Sequence, residues 1–387
     1  MISSMPRASS VRPFISLIAL LWTACGGGGS SVPAPSPSPS ASPAASLNMR
    51  LFAHIDATAL TATAIAGEPT PPAGARSGSG NWGYTAPGGR RFALTGTSVG
   101  LSIVEVTDPE HPRNLGVVPG PANQWREVKT YGGYAYVTTE ARVGMDIVDL
   151  RDPDRPRKVQ TWNRTFDSAH SLWIDEERGL LYAHGTQTGM HVLDVGRNPE
   201  DPTEVGVFNG FYVHDSYGRG TTLYAAAIRD GFLGILDVSN PADIREVTRF
   251  FTGGRFTHNC WLTRDSRYLF TTDERISRPI EGWDLIDPLG DPLPPRKVSE
   301  YIAAPGTIPH NVMVDGDRLL LSHYTEGVHL LDVTDPERPR LIGFYDTYPG
   351  TSGTFNGDWG AYIFPGSDLI VASDIDGGLF IIGYTGR

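Results

Sequence analysis

The pattern of apolar and polar residues predicts short β-strands along most of the chain. A representative unit has apolar-rich runs at residues 171–174, 180–184, 190–195 and 204–208, separated by turn-forming residues. Four strands of this length in one antiparallel meander cannot bury both faces without neighbours. No run keeps the 3.6-residue apolar period of a helix, which excludes a helical array. The pattern therefore predicts an all-β protein in which this four-stranded unit recurs.

The end of the third run, with the Asx-Pro turn that follows it, gives the clearest repeat. The prolines of this motif lie 42 to 48 residues apart, at Pro109, Pro153, Pro199, Pro241, Pro288 and Pro336. The Asp or Asn side chain can cap the turn, while proline fixes φ and ends the strand. A period near 45 residues with four strands per unit is typical of a β-propeller.

Alignment of the first strands predicts seven four-stranded antiparallel blades. These strands begin near Trp82, Trp125, His170, His214, His258, His310 and Trp359. The last unit ends near Tyr384 without a fourth strand, whereas residues 50–55 have the pattern of that strand. We therefore expect this N-terminal strand to complete the last blade and close the ring, which leaves no exposed edge. Residues 57–80 then form a crossover, and residues 275–291 an insertion in the fifth blade.

Several motifs resemble a bacterial family. Ile-Val-Asp-Leu at 147–150 and Leu-Leu-Asp-Val at 330–333 resemble the core of the LVIVD repeat. A wider series that includes Asn81-Trp-Gly-Tyr, Thr257-His-Asn and Phe355-Asn-Gly-Asp-Trp resembles the choice-of-anchor B proteins. The likeness extends over residues 47–387. It implies a propeller domain carried on varied membrane anchors, and it implies no particular activity.

The first 46 residues have the composition of an export and anchoring segment. In residues 1–24, Arg7 and Arg12 precede an apolar core at 14–22 and a small-residue end, which resembles a lipoprotein signal peptide. Cys25 follows directly, and we expect it to be the lipidated first residue of the mature chain. The alternative is an ordinary secretory signal followed by a chance cysteine. The remainder of residues 25–46 is rich in Gly, Ser and Pro, as in an extended tether.

These features predict an extracytoplasmic protein on the outer membrane or surface of a bacterium, held to the membrane by its lipid. The formal net charge is −11 with only three lysines, which argues against a nucleic-acid partner. Cys260 is the single cysteine after Cys25, so we expect no disulfide within the domain. We expect a monomer that binds a protein, a glycan or a small molecule.

The candidate site comes from the aligned first strands, because in a propeller these strands line the central channel. Four consecutive blades place a histidine at this position: His170, His214, His258 and His310. Neutral imidazoles suit Zn, Cu, Fe or Ni, and such binding would weaken below about pH 6, where imidazole is protonated. Two alternatives stay open, namely a channel that holds only water and a ligand site without metal.

A second set of residues is expected at the same end of the channel. The second strands run antiparallel to the first, so their ends reach the rim where the first strands begin. The expected rim residues are Glu140, His184, Asp215, Asp273, His323 and Asp374, with Trp82, Trp125 and Trp359 on the opposite arc. A mouth with polar groups on one side and aromatic rings on the other can hold a ligand.

Two classes of function remain. The sequence has no nucleophile elbow, phosphate-binding loop, His-Glu-x-x-His or Cys-x-x-Cys motif. The first class is a non-enzymatic, surface-tethered propeller that binds a ligand or partner at its mouth. The second is a metal-dependent extracytoplasmic enzyme, an oxidase or a hydrolase, that uses the four histidines as metal ligands.

Overall fold

The computed structural model describes residues 45–71, 78–286 and 295–386. The predicted signal peptide, Cys25 and most of the tether lie outside the described residues. The described chain begins with β1 (Ser46–Leu47), β2 (Met49–Ile55) and the short helix α1 (Ala57–Thr61). Among the described residues, no helix is long and apolar enough to span a membrane.

Seven antiparallel sheets follow, and the strands of each succeed one another from the channel outward. Blade one contains β3 (Asn81–Thr85), β4 (Arg91–Thr97), β5 (Gly100–Glu105) and β6 (Arg113–Pro119). Blade two contains β7 (Val128–Tyr131), β8 (Tyr134–Val137), β9 (Met145–Asp149) and β10 (Arg157–Trp162). Blade three contains β11 (Ser171–Asp175), β12 (Leu180–His184), β13 (Met190–Asp194) and β14 (Thr203–Phe208). Blade four contains β15 (Asp215–Arg219), β16 (Thr222–Ala227), β17 (Phe232–Asp237) and β18 (Arg245–Phe251).

The remaining three blades complete the ring. Blade five contains β19 (Thr257–Leu262), β20 (Tyr268–Asp273), β21 (Ile280–Asp284) and β22 (Arg296–Tyr301). Blade six contains β23 (Val312–Asp315), β24 (Arg318–Ser322), β25 (Val328–Asp332) and β26 (Arg340–Tyr345). Blade seven contains β27 (Asp358–Ile363), β28 (Leu369–Asp374) and β29 (Gly378–Tyr384), with β2 as its outer strand. The predicted all-β, seven-bladed propeller is confirmed.

The Asx-Pro turns that define the repeat are capped as the sequence predicts. The side-chain oxygen of Asn198 accepts a hydrogen bond from the backbone N–H of Glu200 at 3.2 Å. Asn240 makes the same contact with Ala242 at 3.1 Å. The strands that lead into these turns are buried on both faces, since they pack between neighbouring blades. The repeat therefore encodes a buried strand followed by a sharp, self-capped turn.

The N-terminal strand closes the ring. Strand β2 pairs antiparallel with β29, from Met49 opposite Tyr384 to Ile55 opposite Leu379. The structure adds a contact that the sequence analysis does not predict, because β1 pairs with β26 as a fifth strand of blade six. The segment from β1 to β2 therefore joins the outer edges of two adjacent blades.

Two details of the sequence prediction need correction. The crossover at 57–80 contains α1, whose N-terminus is capped by the Asp56 side chain at 2.8 Å from the N–H of Ala59. Its residue Leu60 is fully buried, so this crossover begins as part of the packed fold. The insertion predicted at 275–291 is wrong in extent, because β21 lies within it and is the third strand of blade five.

Candidate functional site

The seven first strands line the channel and begin at one face of the ring, where the second strands end. We call this face the mouth face. At the mouth, two strands carry an irregularity that turns an extra side chain toward the axis. The pairing register shifts at His258 in β19 and at Trp359 in β27. A β-bulge re-aims a side chain in this way, which explains how both rings reach the mouth.

Six aromatic rings from five consecutive blades and the loop before β7 form a continuous series of ring contacts at the mouth. The ring centroids of His170 and His214 lie 4.3 Å apart, and those of His214 and His258 lie 4.4 Å apart. The series continues from His258 to His310 and from His310 to Trp359, each at 4.4 Å. It ends with Trp125, which stacks on Trp359 at 4.5 Å. We call these six residues the aromatic arc.

Backbone carbonyl groups of neighbouring blades orient these imidazoles. The Nδ1 atom of His310 lies at hydrogen-bond distance from the carbonyl oxygen of Trp359 on the next blade. The Nδ1 atom of His214 makes a longer contact of 3.4 Å with the carbonyl oxygen of His258. A carbonyl oxygen can only accept, so Nδ1 carries the proton and Nε2 keeps its lone pair. The Nε2 atom of His310 is buried and has no hydrogen-bond partner among the described residues.

A carboxylate faces the two imidazoles of blades five and six. One oxygen of Glu274 lies 3.8 Å from Nε2 of His258, and its other oxygen lies 3.8 Å from Nε2 of His310. The hydroxyl of Tyr324 donates a 2.5 Å hydrogen bond to the same carboxylate and fixes its position. Within the described residues, these two histidines and Glu274 bring three ligand atoms within 4.8 Å of one another. His170 and His214 lie outside this group, so the four histidines line an arc.

Burial sets the protonation of these histidines. Desolvation lowers the pKa of His258 and His310 to about 3, and it lowers the pKa of His214 well below its usual value. These imidazoles are therefore uncharged near neutrality, and the hydrogen bond from Nδ1 of His310 leaves its Nε2 able to bind a metal. The expected loss of metal binding below about pH 6 moves to lower pH for the pair His258 and His310.

His170 differs from the other three histidines because it has a carboxylate partner. Its Nδ1 lies 2.6 Å from an oxygen of Glu140. Burial disfavours the charged imidazole, but Glu140, Glu127 and Asp215 outweigh this effect and raise the pKa of His170. The hydrogen bond to His170 in turn lowers the pKa of Glu140. This end of the aromatic arc therefore holds an ion pair, whereas the other end holds neutral imidazoles.

Three of the predicted rim residues lie deeper in the channel. Asp215 accepts hydrogen bonds from Asn259 at 2.7 Å and from Ser171 at 3.0 Å. The Nε2 atom of His184 lies 2.9 Å from the hydroxyl of Ser216, inside the protein. Trp82 lies apart from the tryptophans of the arc. Asp215 and Trp82 line a cavity of about 50 Å³, together with Glu127, Lys129, Trp173, Trp261 and Asn311.

Two other predicted rim residues, Asp273 and Asp374, accept backbone hydrogen bonds that hold loops and turns in place. Asp273 is buried and accepts hydrogen bonds from the N–H groups of Gly254 and Phe256, each at 2.7 Å. Asp374 accepts from the N–H of Gly377 at 2.7 Å. His323 lies inside blade six, where its ring centroid is 5.8 Å from that of His329. Of the predicted residues, Trp125, Trp359 and Glu140 are the ones that the structure places with the histidines at the mouth.

Glu274 and Tyr324 are the two site residues that the sequence analysis misses. Each follows directly after a predicted rim residue, Asp273 and His323. Side chains on a strand alternate between faces, so an error of one residue selects the opposite face. The hydroxyl of Tyr324 and the carboxyl group of Glu274 could have been found only by testing both residues at each strand end.

Solved structures with similar folds have distant sequences, and one of them is a β-propeller domain. A protein from Lactobacillus plantarum aligns with a TM-score of 0.58 at 15% identity, covering 71% of this chain and 84% of that chain. The Cps50 β-propeller domain from Myceliophteria thermophila aligns with a TM-score of 0.57 at 15% identity, covering 80% and 98%. A putative 6-phosphogluconolactonase from Bacteroides uniformis aligns with a TM-score of 0.53 at 13% identity, covering 66% and 82%. At these identities the similarity shows the fold alone.

Comparison of the sequence with protein-family models identifies one kind of repeat. No curated protein sequence matches the chain. The model of the LVIVD repeat matches residues 124–163, which span blade two, and residues 224–252, which span the outer part of blade four. The likeness to choice-of-anchor B proteins stays a prediction. The chain is a seven-bladed β-propeller that carries LVIVD repeats.

Proposed function

We propose that this protein is a lipid-anchored, extracytoplasmic binding module that holds a transition metal at the mouth of its propeller. His258, Glu274 and His310 are the proposed metal ligands. The lipid at Cys25 would fix the chain to the membrane, and the Gly/Ser/Pro-rich tether would hold the propeller away from its surface. A ligand or partner would approach the aromatic arc from the mouth face.

The position of Glu274 is the observation that carries the metal site. Its two oxygens lie 3.8 Å from two Nε2 atoms, of which the one on His310 is buried, unprotonated and without a hydrogen bond among the described residues. Lone pairs of a carboxylate and an imidazole repel each other, and a metal cation between them would remove that repulsion, as a bridging water molecule also would. Ligand atoms around a tetrahedral ion with bonds of about 2.0–2.1 Å lie roughly 3.4 Å apart. The three ligand atoms here lie within 4.8 Å of one another, so binding such an ion would draw them together by up to about 1.4 Å.

The chemistry of the ligands narrows the choice of metal. Two imidazoles and one carboxylate suit Zn, Cu, Ni or Fe, whereas Mg and Ca prefer oxygen ligands alone. The carbonyl oxygen of Trp359 orients His310, and the hydroxyl of Tyr324 orients Glu274. In known metal sites, hydrogen-bond partners outside the ligand shell orient the metal ligands in the same way.

A second candidate function is a metal-dependent enzyme, an oxidase or a hydrolase. One observation favours it, namely that three protein ligands leave a coordination position open, as in catalytic rather than structural zinc sites. A reaction would then require the metal-loaded protein and would be lost in His310→Ala. Metal binding without turnover of ester, phosphoester or phenolic test substrates would favour the binding module.

Metal titration of the soluble domain tests the site. We expect one equivalent of Zn, Cu, Ni or Fe to bind, and His310→Ala and Glu274→Gln to weaken binding by more than the roughly 10–100-fold that outer-partner changes cost. The matched control is His111→Ala, because His111 is 81% exposed and far from the mouth. A parent domain that binds none of these metals, or variants that bind as the parent does, would refute the site.

The anchor has its own test. We expect Cys25→Ala to release the protein from membranes or to leave an uncleaved precursor, because lipidation and cleavage both require the cysteine thiol. Membrane fractionation with a lipid label separates these outcomes from the wild type. Unchanged processing and membrane association would contradict the lipoprotein prediction.

A further inference from the structure

The mouth face carries exposed arginines without acidic partners. In the described part of the chain, six exposed arginines lie in the mouth-face loops, and Arg164 alone among them forms an ion pair, with Asp201. The other five have no carboxylate oxygen of a described residue within 4 Å, and they are Arg142, Arg229, Arg255, Arg275 and Arg278. All five belong to blades two to five, beside the histidines of the aromatic arc.

Most arginines at the opposite face are paired with carboxylates, although Arg264 has no such partner among the described residues. Arg113 lies 2.8 Å from Glu105 and also pairs with Asp154 at 2.5 Å. Arg151 lies 2.8 Å from Asp149. A chain with a net charge of −11 has many acids with which to neutralise its arginines. The guanidinium groups at the mouth face that have no carboxylate partner are therefore available to an anion.

Three of these arginines are held in place by aromatic rings. The guanidinium carbon of Arg229 lies 3.6 Å from the centroid of the Tyr212 ring. Arg255 lies 4.0 Å from the Phe251 ring centroid, and Arg275 packs on Phe256 in the same way. Such stacking limits the rotamers of the long side chain and leaves the planar N–H fork available to an oxyanion.

A groove of about 510 Å³ crosses this surface between the loops of blades three and four. Arg229 lines one side of it. On the other side, Nη1 of Arg142 donates to the amide oxygen of Gln187 at 3.1 Å, with that amide turned toward the guanidinium group. Gly185 lines the inner end, where the Cβ of His170 lies so close that any side chain at Gly185 would collide with it. The groove therefore opens beside the aromatic arc.

The groove lining defines the chemistry of the occupant. Its exposed polar side chains carry hydroxyl and amide groups, which both donate and accept hydrogen bonds: Gln187, Thr188 and Asn209. The buried Thr186 instead donates its hydroxyl proton to the carbonyl oxygen of Gly189. Phe211 and Tyr212 add aromatic surface. Hydroxyl-rich rings with apolar C–H faces match such a lining, and carboxylates on those rings match the two flanking guanidinium groups.

We infer that this groove binds an acidic oligosaccharide, with uronate carboxylates on Arg142 and Arg229 and sugar hydroxyls on Gln187, Thr188 and Asn209. The inference rests on the proposed function in so far as the mouth face is the binding face. The proposed ligand class is a carboxylated glycan. A sugar unit at the inner end of the groove would reach the ion pair of His170 and Glu140.

Calorimetric titration with a galacturonate oligomer tests the inference. We expect binding of the oligomer to the parent protein, weaker binding at high salt, and no binding of a neutral galactose oligomer of the same length. Arg142→Ala and Arg229→Ala should each reduce affinity about tenfold or more, since each removes one charge-assisted contact. The matched control is Arg264→Ala, because Arg264 is exposed on the opposite face and has no ion pair with a described residue there.

Two further measurements distinguish a failure of the glycan inference from a failure of the metal site. Metal content is measured on the same samples, and His310→Ala is titrated beside the arginine variants. Metal loading without galacturonate binding overturns the glycan inference and leaves the metal site standing. Equal binding of inorganic phosphate and the oligomer would show a general anion site and overturn the carbohydrate class. An equal loss in Arg264→Ala would show that net charge alone drives binding and would overturn the groove as the site.

Discussion

Removal of residues 45–56 is expected to open the propeller and to lower its free energy of unfolding by several kcal/mol. These residues contain β1 and β2, so the deletion takes the outer strand from blade seven and the fifth strand from blade six. Met49 is buried in the core cluster of blade seven, and Leu51, Phe52 and Ile55 pack against that cluster. The newly exposed edge of β29 would present unpaired N–H and C=O groups to other chains.

The comparison requires two soluble chains, one that begins at Ala45 and one that begins at Ala57. We expect the shorter chain to unfold at lower urea concentration and to form oligomers that light scattering detects, because a domain of typical stability has only about 5–15 kcal/mol to lose. If the shorter chain is monomeric and as stable as the longer one, the N-terminal strands do not close the ring.

Most of the fold can be predicted from the sequence because the repeat motif recurs at the same place, the end of the third strand. Six of the seven blades end the third strand with a buried apolar run and an Asx-Pro turn, and at Asn198 and Asn240 the side chain caps its own turn. The closing strand is also predictable, since the last unit lacks a fourth strand and residues 50–55 have its pattern. Strand β1 is not, because a two-residue strand has no periodicity to detect.

The site is only partly predictable, for reasons that are local. The column of histidines is visible in the sequence because first strands align from blade to blade. Whether a given residue faces the axis depends on bulges, such as those at His258 and Trp359, which shift the alternation by one. Glu274 therefore reaches the two imidazoles, while the preceding residue, Asp273, holds a loop.

The groove could not be predicted from the sequence, because its residues do not recur at a fixed position of the repeat. Arg142 and Arg229 come from loops of different blades, and their partners Gln187 and Tyr212 come from further loops. Loops of this kind vary in length and sequence while the strands keep their period. The absence of acidic neighbours around these arginines, among the residues that the structure describes, is a property of the folded surface alone, and no spacing along the chain reveals it.

Acidification from pH 6.5 toward pH 4 is expected to destabilise the protein through its buried imidazoles. Desolvation lowers the pKa of His184 and His329 to about 3 and that of His323 to about 4. In the unfolded chain these groups titrate near 6.5. Below that pH the unfolded state binds protons that the folded state excludes, so stability is full above pH 6.5 and falls with pH down to about 3. Each such histidine costs about 1.4 kcal/mol per pH unit.

Buried carboxylates act in the opposite sense, so a single substitution is needed to isolate one histidine. Burial raises the pKa of Asp358 and Asp374 above their usual range. The folded state therefore binds protons on these groups before the unfolded state does, and it gains stability as the pH falls. The measured pH dependence of the parent protein is the sum of both effects.

His329→Gln isolates one imidazole away from the mouth. His329 lies on β25, buried between blades, with its Nδ1 2.9 Å from the hydroxyl of Tyr301. Glutamine can keep a hydrogen bond to that hydroxyl, and it cannot take up a proton. We expect the slope of unfolding free energy against pH, measured by urea titration between pH 4.5 and 6, to become shallower by about 1.4 kcal/mol per pH unit. An unchanged slope in His329→Gln would mean that this imidazole takes up its proton in the folded protein, and that burial in the blade does not keep it neutral.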